Sequence, residues 1–116
     1  MTATVCLRLA AVSGFLVVAL GAFGAHGLKD LLVKQGTLEV WEKAVLYQMF
    51  HTLALLLLAS RPSVHAGAAV CFLLGIIIFC GSLYGLALTN VRWLGAITPL
   101  GGVGFLLGWG WLLLRP

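Results

Sequence analysis

The sequence predicts an all-α fold: an integral membrane four-helix bundle, with a short interfacial helix between the first and second spans. Three observations carry this. First, the 116 residues are 62% hydrophobic and only 9% charged, with a mean hydropathy of +1.13, whereas soluble domains carry charge on about a quarter of their residues. A chain this short keeps most of its side chains near its boundary, so that boundary must be lipid. Second, apolar runs long enough to cross a hydrocarbon core of roughly 30 Å occupy approximately residues 5–25, 38–59, 66–88 and 93–114. Third, these runs are apolar at both odd and even positions, which excludes the alternating strands of an outer-membrane barrel. Residues 1–116 read as one membrane domain, without internal repeat or low-complexity linker.

The first run carries Arg8 near its start, where a long side chain can snorkel to the interface. The stretch from His26 to Lys43 holds six of the ten charges, and Leu28, Leu31, Leu32 and Val33 recur on one side of it. This is the pattern of a short helix lying on the membrane surface. Gly36 breaks it, and Thr37 is an expected N-cap for the second span. That span opens with Glu39 and Glu42, which suit the positive helix end, and with Trp41 at the level of an aromatic belt. Ser60-Arg61-Pro62 ends it, and Thr89-Asn90-Val91-Arg92 separates the third span from the fourth.

The net charge of +4 comes from basic residues spread singly at segment ends. That distribution suits lipid headgroups and carries no nucleic-acid signature. Arg8, Arg61 and Arg115 fall on one side of the membrane and Lys29, Lys34, Lys43 and Arg92 on the other, so basic-residue bias sets no orientation. Cys6, Cys71 and Cys80 lie in or beside apolar runs with no CxxC pair and read as small apolar residues. No metal or other cofactor is called for. Membrane lipids are the expected partners.

At 100° per residue, the first span is expected to bury Ala10, Ala11, Gly14, Val18, Gly21 and Ala25. The third is expected to bury Gly67, Cys71, Gly75, Gly81, Ser82 and Gly85, with Phe72, Leu73, Ile76 and Leu83 opposite. Such small-residue stripes let helices approach closely in lipid. The fourth span has glycines on two sides, Gly101, Gly104 and Gly108 against Gly95, Gly102 and Gly110. It is therefore expected either at the bundle centre or against a second copy as a homo-oligomer. Pro99 falls inside that run and frees the carbonyl of Gly95, with Thr98 as the nearest hydroxyl to meet it.

The second span carries the one polar constellation. Tyr47, Gln48 and His51 share an arc of about 100°, opposite Leu46, Met49, Phe50, Leu53 and Leu57, and are expected to face the bundle interior. His26, ending the first span, is the other candidate. Three readings stand. The polar face is architectural, hydrogen-bonding across helices, in a structural or accessory protein. Alternatively it binds a lipid, quinone or other apolar ligand, together with Thr98 and the Pro99 break. Or His51 carries protons in a transporter or enzyme. No Ser-His-acid set, HExxH or paired carboxylate accompanies it.

The strings GAFGAHGL (Gly21–Leu28), AVLYQMFHTLALLL (Ala44–Leu57) and ITPLGGVGFLLGW (Ile97–Trp109) resemble a family of small membrane proteins that includes eukaryotic transmembrane protein 256 and many bacterial members. The resemblance covers nearly the whole chain. It implies several membrane spans, emphasises His26, Gly27, Tyr47, Gln48, His51, Pro99, Gly101 and Gly102, and implies a bacterial inner (plasma) membrane protein. It implies no reaction.

Overall fold

The computed structural model describes residues 1–116, and every element in it is helical. In chain order these are α1 (Ala3–Ala25), α2 (Lys29–Gln35), α3 (Leu38–Ala59), α4 (Ala66–Gly75), a π-helical turn (Ile76–Cys80), α5 (Gly81–Thr89), a 3₁₀ turn (Arg92–Ala96) and α6 (Thr98–Leu114). The molecule measures 47 × 26 × 17 Å, so its long axis matches a bilayer with its headgroup regions, about 40–45 Å. Three stretches are long and apolar enough to cross a membrane: Ala3–Ala25, Ala66–Thr89 and Arg92–Leu114. The α3 helix has 22 residues, but Glu39, Glu42, Lys43, Gln48 and His51 lower its hydropathy.

α1 and α3 pack along one another, and α4 packs on α6. The buried stripe of α1 is Cys6, Ala10, Ser13, Val17 and Gly24. This corrects the expected small-residue face, since Ala11, Val18 and Ala25 are exposed. The cause is visible across the interface: Ser13 and Cys6 turn inward to bond α3, Cys6 Sγ lying 3.5 Å from the Leu55 carbonyl. Trp41 is likewise not at an aromatic belt. It is 2% exposed, its indole N–H donates to the Leu20 carbonyl at 2.9 Å, and the ring fills the space that a Cβ on Gly24 would need. A buried indole needs an acceptor for its N–H, and α1 supplies one.

Thr37 precedes α3 but makes no side-chain cap. Its buried hydroxyl donates instead to the Ala87 carbonyl at 2.8 Å, and Gln35 Nε2 donates to the same carbonyl at 2.9 Å and to that of Leu88 at 3.2 Å. The last turn of a helix leaves carbonyls without intrahelical partners. Here α2 and the turn after it satisfy those of α5. Gly36 makes that turn possible with φ +71°, a left-handed conformation that glycine adopts without steric cost. Asn90 ends α5 in the same conformation.

The third apolar stretch departs most from the expected faces. The π turn adds a residue within the helix and shifts the phase of everything after it. Buried positions run Ala68, Ala69, Phe72 and Gly75, then resume at Cys80, Ser82, Leu83, Leu86 and Ala87. Gly81, expected against a neighbour, therefore has nothing within 4 Å of its would-be Cβ. Phe72 and Leu83, expected on the outer face, are buried.

α6 lies at the edge of the molecule, with Leu100, Val103, Leu106, Leu107, Leu113 and Leu114 exposed. Gly101, Gly104 and Gly108 all face the α4 and π-turn region: a Cβ at Gly101 would collide with the Phe79 backbone and one at Gly108 with the Phe72 ring, and one at Gly104 would press on the Cys71 carbonyl at 3.3 Å. These glycines are thus used within the chain. Gly75 and Gly14 also lie in contacts, against Phe105 and, at 3.6 Å, Thr52; Gly21 meets Val45 at 3.6 Å and Gly85 meets Leu94 at 3.2 Å. Pro99 is not inside a helix but in the first turn of α6, where its missing N–H costs nothing. The 3₁₀ turn before it accommodates the break.

Two glycines separate these effects experimentally. Gly101→Val should destabilise the fold by about 1–3 kcal/mol or more, as overpacking does, whereas Gly81→Ala should be neutral or stabilising by up to about 1 kcal/mol. Reversible unfolding in mixed micelles measures both.

Candidate functional site

The polar face of α3 divides into two neighbourhoods. Gln48 is 3% exposed and joins three helices. Its Nε2 lies 3.2 Å from both the carbonyl and the hydroxyl oxygen of Ser13 on α1. Its Oε1 accepts from the Tyr84 hydroxyl of α5 at 2.6 Å. Thr52 donates to the Gln48 backbone carbonyl at 2.7 Å and lies 2.6 Å from the Ser13 hydroxyl. A hydroxyl has one proton. That of Thr52 is spent on the carbonyl, so Ser13 donates to Thr52 and Gln48 donates to Ser13. The three residues form a ring closed through the Gln48 backbone carbonyl, with Tyr84 attached from the third helix.

His51 belongs to the second neighbourhood. Its Nδ1 lies 2.8 Å from the Tyr47 carbonyl and its Nε2 3.0 Å from the Trp109 indole nitrogen. A carbonyl only accepts and an indole N–H only donates, so the partners assign the neutral tautomer with the proton on Nδ1. The imidazole stacks on Phe105 with ring centroids 3.6 Å apart, and Phe72 and Trp109 close around it.

Beside this aromatic group runs an open-sided groove of about 640 Å³ between α3 and α6. Buried His51 and Phe105 and half-buried Phe79 form its floor, half-buried Gly102 contributes from α6, and the exposed Leu46, Phe50, Pro99, Val103, Leu106 and Trp109 make its lips. Tyr47 lines it too and is 40% exposed, which corrects its expected interior placement. It sits one residue before Gln48 on the helix and so points to the flank. Its ring packs 4.6 Å from that of Phe79, and its hydroxyl has no partner within the chain, in contrast to Tyr84.

Of the residues the sequence singles out, Tyr47, His51 and Pro99 meet at the groove and Gln48 turns away from it. Thr98 lies to one side, its hydroxyl 2.6 Å from that of Ser82 and 3.4 Å from the Leu94 carbonyl, so it does not serve Gly95. His26 is exposed at the end of α1 and joins neither group. Sequence reasoning missed Ser13, Thr52, Tyr84 and Trp109. Ser13 and Tyr84 carried a signal, as polar groups well inside apolar runs. It also missed His65, which caps α4 by accepting from the Ala68 N–H at 3.0 Å and donates to the Arg115 carbonyl at 2.8 Å.

The Gln48–Tyr84 bond can be weighed by a double-mutant cycle with Gln48→Leu and Tyr84→Phe. The expected coupling is about 0.6 kcal/mol and no more than about 1.7 kcal/mol, the mean and the maximum that such cycles give for interhelical hydrogen bonds in a membrane protein, read from unfolding in mixed micelles.

Comparison with known proteins gives the family. Residues 20–102 match the family model described as "Protein of unknown function (DUF423)". A UPF0382 membrane protein of Staphylococcus epidermidis is 50% identical over 109 residues, covering 90% of this chain and 88% of its own. The UPF0382 inner membrane protein YgdD of Escherichia coli K12 is 47% identical over 121 residues, with 98% and 90% covered. The UPF0382 membrane protein YwdK of Bacillus subtilis is 42% identical over 111 residues, with 90% and 89% covered. No solved structure matches. With these relatives and three apolar helices able to span a bilayer, the chain is an integral membrane protein of the bacterial inner (plasma) membrane and belongs to the DUF423 family of membrane proteins of unknown function.

Proposed function

We propose that α3 is a fourth membrane crossing, that Gln48 ties the four-helix bundle together, and that the α3–α6 groove holds an apolar or amphipathic molecule taken from the bilayer. Support for the fourth crossing comes from the length of α3, its packing along α1, and the outward row of Leu46, Met49, Phe50, Leu53 and Leu57, all exposed. A buried polar residue on such a helix is tolerated because it is fully hydrogen-bonded inside the protein.

The single observation that carries the binding reading is the groove itself. Its volume of about 640 Å³ falls within the range of small-molecule sites, ≈ 300–1,000 Å³, and its aromatic lining includes one polar group left open. An accessory, purely architectural role is the second reading, favoured by the completeness of the Gln48 ring. Proton carriage by His51 has less support, because Trp109 already occupies the nitrogen that would take the proton.

Native mass spectrometry of gently extracted protein tests the proposal. Wild type should carry a stoichiometric bound lipid-like mass, and Val103→Trp, which fills the groove from its lip, should lose that mass, while the two proteins stripped of bound lipid unfold at the same temperature. Identical clean masses for both proteins would remove the binding reading and leave the architectural one.

A further inference from the structure

Resting on the reading of the groove as a binding site, we infer that its occupant is a quinone-class lipid: a planar ring bearing a carbonyl acceptor, carried on an apolar tail. Three features select this chemistry. The first is depth. Tyr47 lies nine residues after Leu38 and twelve before Ala59, roughly 14 Å and 18 Å along the helix axis, so it stands near the middle of a crossing α3. Phospholipid headgroups stay outside the roughly 30 Å hydrocarbon core and do not reach that level. A small polar ring on an apolar tail does.

The second feature is the hydrogen-bonding capacity left open. His51 Nε2 accepts from Trp109, His51 Nδ1 is held by the Tyr47 carbonyl, and Gln48 Oε1 is taken by Tyr84. The Tyr47 hydroxyl remains. An unbonded hydroxyl in an apolar medium is costly, and its proton is best met by a strong acceptor such as a ring carbonyl.

The third feature is shape. The floor is a set of flat side chains: the Tyr47 ring lies 6.3 Å from Phe105 at an interplanar angle of 19°, and Phe105 is nearly parallel to His51, at 10°. The Phe105–His51 stack is itself buried, at 5% and 4% exposed, and the Tyr47 ring beside it, 40% exposed, offers the face on which a planar ring can stack in the offset manner aromatic groups prefer. The exposed lips of Leu46, Phe50, Val103 and Leu106 leave its tail open to lipid.

The test is a titration of purified protein in phospholipid nanodiscs with three probes: decylubiquinone, decylbenzene (ring and tail without carbonyls) and farnesol (tail and hydroxyl without a ring). Saturable quenching of tryptophan fluorescence reports decylubiquinone, and competition against it reports the other two. Decylubiquinone should bind most tightly, and Tyr47→Phe should weaken it about tenfold, the loss of one hydrogen bond, with an unchanged inhibition constant for decylbenzene and unchanged thermal stability without added ligand. Equal binding of decylubiquinone and decylbenzene, with no effect of Tyr47→Phe, would overturn the quinone assignment while leaving a groove for apolar tails. Preferential binding of farnesol would overturn it in favour of an alcohol. Saturable binding of none of the three, with Val103→Trp behaving as wild type, would overturn the binding site itself.

Discussion

Polar groups buried away from water have only the protein to bond with, and the Gln48 ring is where this constraint bears hardest. One amide on α3 reaches α1 through Ser13 and α5 through Tyr84. Moving any of the three helices by an ångström would leave several buried donors and acceptors without partners, each at a cost of about 1–3 kcal/mol. The ring therefore fixes the spacing of α1, α3 and α5. With α3 held, its flank is held too, and the groove beside Tyr47 has a rigid floor.

The second half of the molecule is shaped by small residues rather than polar ones. α6 reaches the α4–α5 stretch only because Gly101, Gly104 and Gly108 leave room for the Phe79 backbone, the Cys71 carbonyl and the Phe72 ring. The π turn is the complement of this stripe. Gly75 meets Phe105 of α6 before the turn, and after the phase shift Ser82 meets Thr98 at the start of α6 while Tyr84 reaches Gln48 and Trp41 of α3. π turns cluster at functional sites, and here Phe79, within the turn, forms part of the groove floor.

Much of this was legible in the residues. The apolar runs, the break at Gly36, the short α2 and the clustering of Tyr47, Gln48 and His51 on α3 follow from composition and helical spacing. What spacing cannot show is phase after Ile76, because a uniform 100° per residue misplaces every later position once one residue is added; Gly81 therefore faces outward and Leu83 inward, the reverse of what uniform spacing gives. Nor could it separate Tyr47 from Gln48. Adjacent residues differ by 100° around a helix, and which of them meets a neighbour depends on where that neighbour packs. Thr37 and Trp41 have ordinary surface roles at helix starts, and only the tertiary contact with Ala87 and with Leu20 takes them inside.

A crossing α3 is the claim on which the depth of Tyr47, and hence the chemistry of the groove, rests. The most direct measurement is labelling of Lys34→Cys and Ser63→Cys, both at exposed positions flanking α3, with a membrane-impermeant thiol reagent in sealed vesicles of known orientation. The account predicts that the two label from opposite faces of the membrane. Labelling of both from the same face would contradict it, placing α3 along the membrane surface and Tyr47 at the interface.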